Sequence, residues 1–93
     1  MSQKTQRARV EIYTWDHCPY CQRARGLLDS KNIEYEQIRL DGDEEARERM
    51  SQTTKGNRKS VPQIFIDTVS VGGCDDLFYL DSSGELDRLV FGN

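Results

Sequence analysis

The sequence predicts a small α/β domain, a four-stranded mixed sheet flanked by helices in the order β-α-β-α-β-β-α, with a short helix at the end. Three observations support this prediction. The 93 residues suffice for a single domain. Along the chain, segments in which apolar and polar residues alternate are followed by segments whose apolar residues recur every three to four positions, as in a helix. The last two strands are joined by a tight turn, which makes them antiparallel, whereas a β-α-β crossover makes the first two parallel.

A change of period predicts the first strand and the first helix. Residues 9–15 (R-V-E-I-Y-T-W) alternate in polarity and are rich in β-forming types, so they indicate a strand. Residues 19–31 place their apolar side chains on one face at helical spacing. Cys18 stands at the cap of this helix and Pro19 at its first position, where the missing N–H of proline costs nothing. Asn32 is the predicted stop.

The later elements follow from the same signals. They are strands over 34–40, 63–67 and 69–71, a helix over 44–53 capped by Asp43, and a polar loop over 54–60. Asp67-Thr68 is the predicted hairpin turn. After Gly72-Gly73, either Cys74 or Asp75 caps a third helix, which Gly84 separates from the short terminal helix.

Composition and charge argue against several classes of protein. The net charge is −3 and the pI is about 5.1, which argues against a dedicated nucleic-acid binder. No apolar run approaches the roughly 18 residues of a membrane span, and the start lacks the apolar stretch of a secretion signal. We therefore expect a cytoplasmic protein, in which free thiols persist. Residues 1–8 are expected to be a flexible basic tail before a single domain over 9–93.

Two of the three cysteines form a C-x-x-C pair, Cys18 and Cys21, at the start of the first helix. The unpaired amides of a first helical turn and the helix dipole favour a thiolate at Cys18. Cys21 lies one turn further along, close enough for a disulfide and deeper in the helix. The spacing therefore assigns attack to Cys18 and resolution to Cys21. Two alternatives stay open: a zinc site, for which only His17 and Cys74 remain as further ligands, and an accidental pair of inert thiols.

Two further motifs suit a peptide ligand. Val61-Pro62 precedes a strand, and beside a C-x-x-C pair it predicts a cis-proline loop whose Val61 N–H and C=O pair with an extended peptide. Residues 72–76 (G-G-C-D-D) combine helix-start amides for a carboxylate with acids for an ammonium. The basic residues around Arg58 and Lys59 form either solvated surface or a binding site for a small carboxylate ligand. Each motif also has a purely structural interpretation. Val61-Pro62 would then be an ordinary proline at the edge of a sheet, and residues 72–76 would be a turn followed by a helix cap.

Together these motifs resemble the glutaredoxin family, which has a thioredoxin-like fold. C-P-Y-C over 18–21 is the family's dithiol active-site motif, and S-V-P over 60–62 is similar to its T-V-P. G-G-C-D-D-L over 72–77 matches a third family motif. The resemblance extends from about Val10 to Leu89 and is greatest to the third bacterial glutaredoxin class.

The resemblance implies a glutathione-dependent thiol-disulfide oxidoreductase, with glutathione as cosubstrate and no permanently bound cofactor or metal. Its dithiol would reduce protein–glutathione mixed disulfides and protein disulfides, a role in electron transport and cell redox homeostasis. We expect a monomer whose partners are glutathione and glutathionylated or disulfide-containing proteins, not nucleic acid or a membrane. The residues implied for glutathione binding are Tyr20, Arg58, Lys59, Val61, Pro62, Gly73, Cys74, Asp75 and Asp76.

The family's mode of binding implies a role for each end of the tripeptide. Val61 would pair with the cysteinyl backbone. The helix start at Cys74 and Asp75 would hold the γ-glutamyl carboxylate, and Asp76 would face the ammonium. A cation at Arg58 or Lys59 would hold the glycine carboxylate.

One position departs from the family pattern, and two other functions stay open. Trp15 stands where many relatives have lysine, so the Cys18 thiolate should depend more on the helix terminus, with His17 contributing when protonated. A dimer that holds an iron–sulfur cluster through Cys18 and glutathione is one alternative, which Pro19 disfavours. A thioredoxin-like reductant supplied by a flavoenzyme is the other, which the G-G-C-D-D motif disfavours.

Overall fold

The computed structural model describes residues 5–54 and 56–92, and their helices and strands follow the predicted order. The elements are β1 (Val10–Thr14), α1 (Pro19–Ser30), β2 (Glu36–Arg39), α2 (Glu44–Thr53), β3 (Gln63–Ile66), β4 (Val69–Gly72), α3 (Cys74–Ser82) and α4 (Glu85–Phe91). The first three strands are one to three residues shorter than the alternation predicts, whereas β4 extends one residue further than predicted, to Gly72. The polarity pattern continues past the last ladder hydrogen bonds, so it overestimates strand length.

The four strands form one mixed sheet in the order β2-β1-β3-β4. β1 pairs parallel with β2 and antiparallel with β3, and β3 pairs antiparallel with β4. Asp67 and Thr68 both have positive φ angles, 50° and 68°, as a two-residue hairpin turn requires. The predicted mixed sheet, with its parallel first pair and its hairpin, is therefore confirmed.

Apolar side chains fill both faces of the sheet. Ile12 and Ile64 face the larger cluster, where they pack with Leu28, Leu77 and Leu86 from the helices. The smaller cluster, on the other face, packs Leu40, Met50 and Phe65 together. Because β3 lies in the middle of the sheet, all four of its residues are buried. This two-sided core holds the ends of β1 and β3 in fixed positions.

The helix ends are set by local contacts. Asn32 follows α1 with a φ angle of 57°, which confirms it as the stop. The neighbouring Lys31 ammonium contacts Asp81 at 2.7 Å and Asp87 at 2.9 Å, so it ties the end of α1 to α3 and α4.

Neither Cys74 nor Asp75 caps α3: the cap is Gly73. The Asp76 carboxylate, three residues on, accepts the Gly73 N–H at 3.0 Å in place of a cap side chain.

The segment before β1 contacts the domain. The Gln6 amide exchanges two hydrogen bonds of 2.8 Å with the Glu34 backbone. The Arg7 and Ala8 amides both donate to the Val90 carbonyl at the end of α4. Residues 1–4 of the predicted tail lie outside the described residues, and the flexibility of the tail stays a prediction. No helix in 5–54 or 56–92 has both the length and the apolar character needed to cross a membrane.

Candidate functional site: a cysteine pair beside a groove

Cys18 and Cys21 lie at the start of α1 and are joined by a disulfide, with their Cα atoms 5.2 Å apart. Cys18 is the predicted cap, and its Sγ accepts the Cys21 N–H at 3.1 Å. An N–H donor and the positive end of a helix dipole both stabilise negative charge on that sulfur. Both residues are buried in this disulfide form, Cys18 at 7% exposed and Cys21 at 3% exposed, so Cys21 is the more buried of the two by a small margin.

The short loop before Cys18 is fixed by charged side chains. The Asp16 N–H donates to the Asp41 carboxylate at 2.8 Å, and Arg39 forms ion pairs with both acids. The pKa of Asp41 lies below its ordinary value, mainly because of the Asp16 N–H and, less strongly, because of Arg39. His17 completes the turn with a φ angle of 56°. The turn after β2 thus positions the residues that lead into the thiol.

The proline loop lies against the sulfur pair. The Val61–Pro62 peptide bond is cis, as the sequence predicts. The Val61 carbonyl oxygen is 3.9 Å from the Cys18 Sγ. Within the part of the chain that the structure describes, the Val61 N–H has no hydrogen-bond partner. The loop therefore presents an unpaired backbone N–H on Val61, the same residue whose carbonyl lies next to the reactive sulfur.

The start of α3 approaches the same loop closely. A Cβ added to Gly73 would lie 3.2 Å from the Pro62 carbonyl oxygen. Gly72 has a φ angle of 109°, and a Cβ there would lie 2.6 Å from the Asp76 Cγ. Gly72 is therefore needed for a conformation that other residues avoid, and Gly73 lets the backbone of α3 approach the proline loop with little crowding. The two glycines, at the end of β4 and at the cap of α3, thus allow α3 to begin beside the proline loop.

A groove of about 210 Å³ lies between these elements. Its lining consists of Tyr20, Arg58, Ser60, Val61, Pro62, Gln63, Gly73, Cys74, Asp75 and Asp76. The structure therefore brings together all the residues implied for ligand binding except Lys59. The Lys59 ammonium contacts Glu48 at 2.7 Å, away from the groove lining. Arg58 does face the groove, where its guanidinium lies 3.4 Å from the Asp76 carboxylate.

Trp15 brings the positive charge of Arg47 close to the loop before Cys18, a contact that the sequence does not reveal. The Arg47 guanidinium lies on the Trp15 ring, 4.4 Å from its centroid, and the Arg47 Nε donates to the Lys59 carbonyl at 3.0 Å. A cation from α2 therefore lies beside the position where many relatives have lysine. Arg47 is far from Trp15 in sequence, and no local pattern predicts the contact.

Arg23 is a second residue that sequence reasoning missed. Its guanidinium carbon lies 5.9 Å from the Tyr20 ring and 5.7 Å from the Phe78 ring, within cation–π range. It thereby connects α1 to α3 beside the groove. Helical spacing indicates the Tyr20–Arg23 pair, because the residues are three apart, but the contact with Phe78 requires the packed structure.

Cys74 lies at the groove but outside the sulfur pair. It is a buried free thiol, and its pKa is raised mainly by burial. The Arg23 charge opposes that shift, and the Asp75 charge adds to it. Cys74 also stands at a helix start, as the first residue of α3, but its burial outweighs that position and keeps the thiol protonated at neutral pH.

The comparisons with known proteins agree with this geometry. The family model described as glutaredoxin matches residues 10–71. The chain is 52% identical over 83 residues to a probable glutaredoxin of Synechocystis, covering 89% of this chain and 93% of the relative. It is 49% identical over 83 residues to glutaredoxin 3 of Escherichia coli, covering 89% and 98% of the two chains.

Solved structures give the same result for the fold. The solution structure of glutaredoxin from Brucella melitensis is 44% identical, with a TM-score of 0.76 and 91% of each chain covered. The crystal structure of a buckwheat glutaredoxin–glutathione complex is 26% identical, with a TM-score of 0.81, covering 89% of this chain and 76% of that one. The thioredoxin-like fold implied by the resemblance is thus confirmed.

Proposed function

Because this chain belongs to the glutaredoxin family, we propose a division of labour in which Cys18 attacks, Cys21 resolves, and the groove holds glutathione. The chain is a dithiol glutathione-dependent thiol-disulfide oxidoreductase with Cys18 and Cys21 as its active-site pair. One observation supports the assignment of roles: the Cys18 Sγ accepts an N–H at the start of α1, next to the proline loop. Cys21 lies deeper and has no such donor among the described residues.

The proposed reaction consists of two exchanges. The Cys18 thiolate attacks the glutathione sulfur of a protein–glutathione mixed disulfide, and the protein sulfur leaves as a thiolate that takes up a proton. The product is a Cys18–glutathione disulfide. A second glutathione thiolate then attacks the glutathione sulfur of this adduct and gives glutathione disulfide, or Cys21 attacks Cys18 and releases glutathione. The Cys18–Cys21 pair reduces protein disulfides by the same chemistry.

The groove suits glutathione along its length. The free N–H and the carbonyl of Val61 are placed to pair with the cysteinyl residue as a strand would. The amides at the start of α3, from Cys74 and Asp75, point to the proposed site of the γ-glutamyl carboxylate. Asp76 lies in the same turn, where it faces the ammonium.

The other end of the tripeptide requires a cation. Of the two candidates, Arg58 lines the groove and Lys59 pairs with Glu48, so we assign the glycine carboxylate to Arg58. The Arg58–Asp76 pair is half-exposed, and such a pair is worth only about 0–1 kcal/mol. Glutathione therefore separates these two side chains at little cost when its own charges replace the partners.

We also propose the cellular setting. A reducing cytoplasm keeps a C-x-x-C pair and a free Cys74 available for exchange. The partners are glutathionylated or disulfide-containing proteins, with glutathione as a cosubstrate that is not permanently bound. A monomer with a single domain over 9–93 is sufficient, because one chain supplies the sulfur pair and the groove.

Two cysteine variants test the assignment. Cys18→Ser should lose both deglutathionylation and protein-disulfide reduction, because the attacking sulfur is gone. Cys21→Ser should retain deglutathionylation and lose dithiol reduction. A glutathione-coupled assay with a glutathionylated peptide measures the first activity, and reduction of a protein disulfide measures the second. An active Cys18→Ser protein would contradict the proposal, and so would a Cys21→Ser protein that loses both activities while remaining folded.

A further inference from the structure

A second cavity adjoins the sulfur pair, and it is built from other elements than the groove. Its volume is about 90 Å³, and its lining comes from the end of β1, the loop over 15–17, the start of α1, and β2. Both Cys18 and Cys21 border it, whereas neither of them lines the groove. We call this space the rear pocket.

The groove does not explain how the Cys21 thiol loses its proton, because Cys21 does not line the groove. A thiol reacts as its thiolate, so Cys21 must lose a proton before it attacks the Cys18–glutathione disulfide. It must regain one when the Cys18–Cys21 disulfide is reduced. Cys21 is only 3% exposed. The proton therefore needs a route from a buried sulfur, and the rear pocket is a cavity that Cys21 borders.

Polar groups of the rear pocket suit a water molecule. Thr14 borders it and is 1% exposed. The Thr14 hydroxyl oxygen accepts the Gln37 Nε2 at 2.8 Å, so the hydroxyl hydrogen is left to donate elsewhere. A water needs about 10–15 Å³ and two to four polar partners, and the pocket supplies both. Gln22 and Gln37 provide further polar groups on its wall.

Charged and titratable side chains also face the rear pocket. They are Asp16 and His17 from the loop, Arg25 from α1, and Arg39 from β2. Arg39 pairs with Asp16 and Asp41, and the Arg25 Nε lies 3.5 Å from the Tyr35 hydroxyl. Among the described residues none of these groups hydrogen bonds to either sulfur. Transfer through water is therefore the route that the geometry allows.

We propose that the rear pocket holds the water through which Cys21 loses and regains its proton, with Thr14 as the residue that positions this water. The proposal rests on the resolving role of Cys21 stated above. In the forward step the Cys21 thiol gives its proton to the water, the water releases a proton to bulk solvent, and the Cys21–Cys18 bond forms. The bond from Cys18 to glutathione breaks, and glutathione leaves as a thiolate that takes a proton from solvent. Electrons balance, because one disulfide replaces another.

Thr14→Val tests this proposal, because valine keeps the shape and removes the hydroxyl. Reduced protein is mixed with a glutathionylated peptide and quenched with acid, and mass spectrometry follows the Cys18–glutathione adduct and the Cys18–Cys21 disulfide. We expect conversion of the adduct to the disulfide to slow about five- to tenfold, as for loss of one hydrogen bond. Formation of the adduct depends on Cys18, so the slowing should fall on conversion alone.

Three further variants make the result specific. Thr14→Ser restores the hydroxyl and should restore conversion. Ser51→Ala removes a buried hydroxyl from α2, outside the rear pocket, and should convert at the wild-type rate. If Thr14→Val does not fold, Gln37→Leu is the second test. It removes the exposed side-chain amide that lines the pocket and donates to the Thr14 hydroxyl. It should slow conversion about two- to threefold.

The outcomes separate this proposal from the proposed function. Equal slowing of adduct formation and conversion, or wild-type conversion in both Thr14→Val and Gln37→Leu, overturns the role of the rear pocket. A wild-type protein that forms the adduct but never the internal disulfide would instead overturn the resolving role of Cys21.

Discussion

The two cavities beside the sulfur pair are built in different ways. The groove is shaped mainly by backbone: the Val61 amide and carbonyl, and the start of α3 after Gly72 and Gly73. The rear pocket is shaped mainly by side chains, among them Thr14 and Gln37. Backbone geometry tolerates changes of side chain but not of glycine. We therefore expect glycine substitutions to damage the groove and polar side-chain substitutions to change the rear pocket.

The largest effect is expected from Gly72→Ala. The φ angle of 109° is strained for alanine, and the new Cβ would meet the Asp76 side chain. We expect the free energy of unfolding to fall by about 1–3 kcal/mol and the KM for the glutathionylated peptide to rise roughly tenfold, as for a loss of about 1.4 kcal/mol of binding. Chemical denaturation and steady-state kinetics measure the two effects.

Gly26→Ala is the matched control for that experiment. A Cβ at Gly26 meets nothing within 4 Å, and the residue lies inside α1. Helix propensity then predicts a gain of about 0.5–1 kcal/mol with unchanged KM. If Gly72→Ala leaves KM at the wild-type value, the groove does not depend on the placement of Asp76.

A smaller effect is expected from Asp76→Asn. The amide keeps the shape of the carboxylate but removes the charge that would face the glutathione ammonium and that pairs with Arg58. We expect KM to rise about fivefold, as for the loss of one charge-assisted contact of about 1 kcal/mol, with little change in kcat. Steady-state kinetics against glutathione concentration measures this split. Glu45→Gln removes an exposed charge from α2 and should change neither constant; equal effects of the two variants would contradict the assignment.

Asp41→Asn tests the turn that supports the rear pocket. Because the folded state lowers the pKa of Asp41, its contribution to stability is present above the ordinary value of about 3.9. That contribution is lost as the pH falls through the lower folded-state value. We expect Asp41→Asn to lower the Tm at pH 7, and the difference from wild type to close as the pH approaches 3. Thermal unfolding between pH 3 and 7 checks this; a gap that is constant or widens toward low pH would contradict it.

The smallest effect concerns Cys74. Its burial raises its pKa, so the oxidised protein should react with iodoacetamide at Cys74 only very slowly at neutral pH. After reduction, alkylation should occur first at Cys18. Mass spectrometry of the alkylated peptides measures both rates. Alkylation of folded Cys74 as fast as that of Cys18 would show that position at the groove, rather than burial, decides its reactivity.

Much of the site was predictable because its signals are local. The cap at Cys18, the stop at Asn32 and the turn at Asp67-Thr68 depend on neighbouring residues, and all three are confirmed. The cap of α3 was predicted one or two residues too late. Glycine has no cap side chain, and the compensating contact comes from Asp76, which the local pattern assigns to the helix.

The remaining features are long-range. Two adjacent cations, Arg58 and Lys59, are equivalent in the sequence, yet one faces the groove and the other pairs with Glu48. The contact between Arg47 and Trp15 likewise joins residues from different elements. Which partner a long charged side chain finds depends on how α2 packs on the sheet, and a single sequence does not encode that choice in any local pattern.

The sequence by itself determined the order of the elements, the mixed sheet and the identity of the reactive pair, because periodicity, turn residues and C-x-x-C spacing act over a few residues. Only the tertiary structure decided which cation lines the groove, how Asp41 positions the loop before Cys18, and that a polar pocket adjoins Cys21. These features need separate elements to be packed together: the groove lies between the start of α1, the proline loop and the start of α3, and the rear pocket lies between the end of β1, the start of α1 and β2.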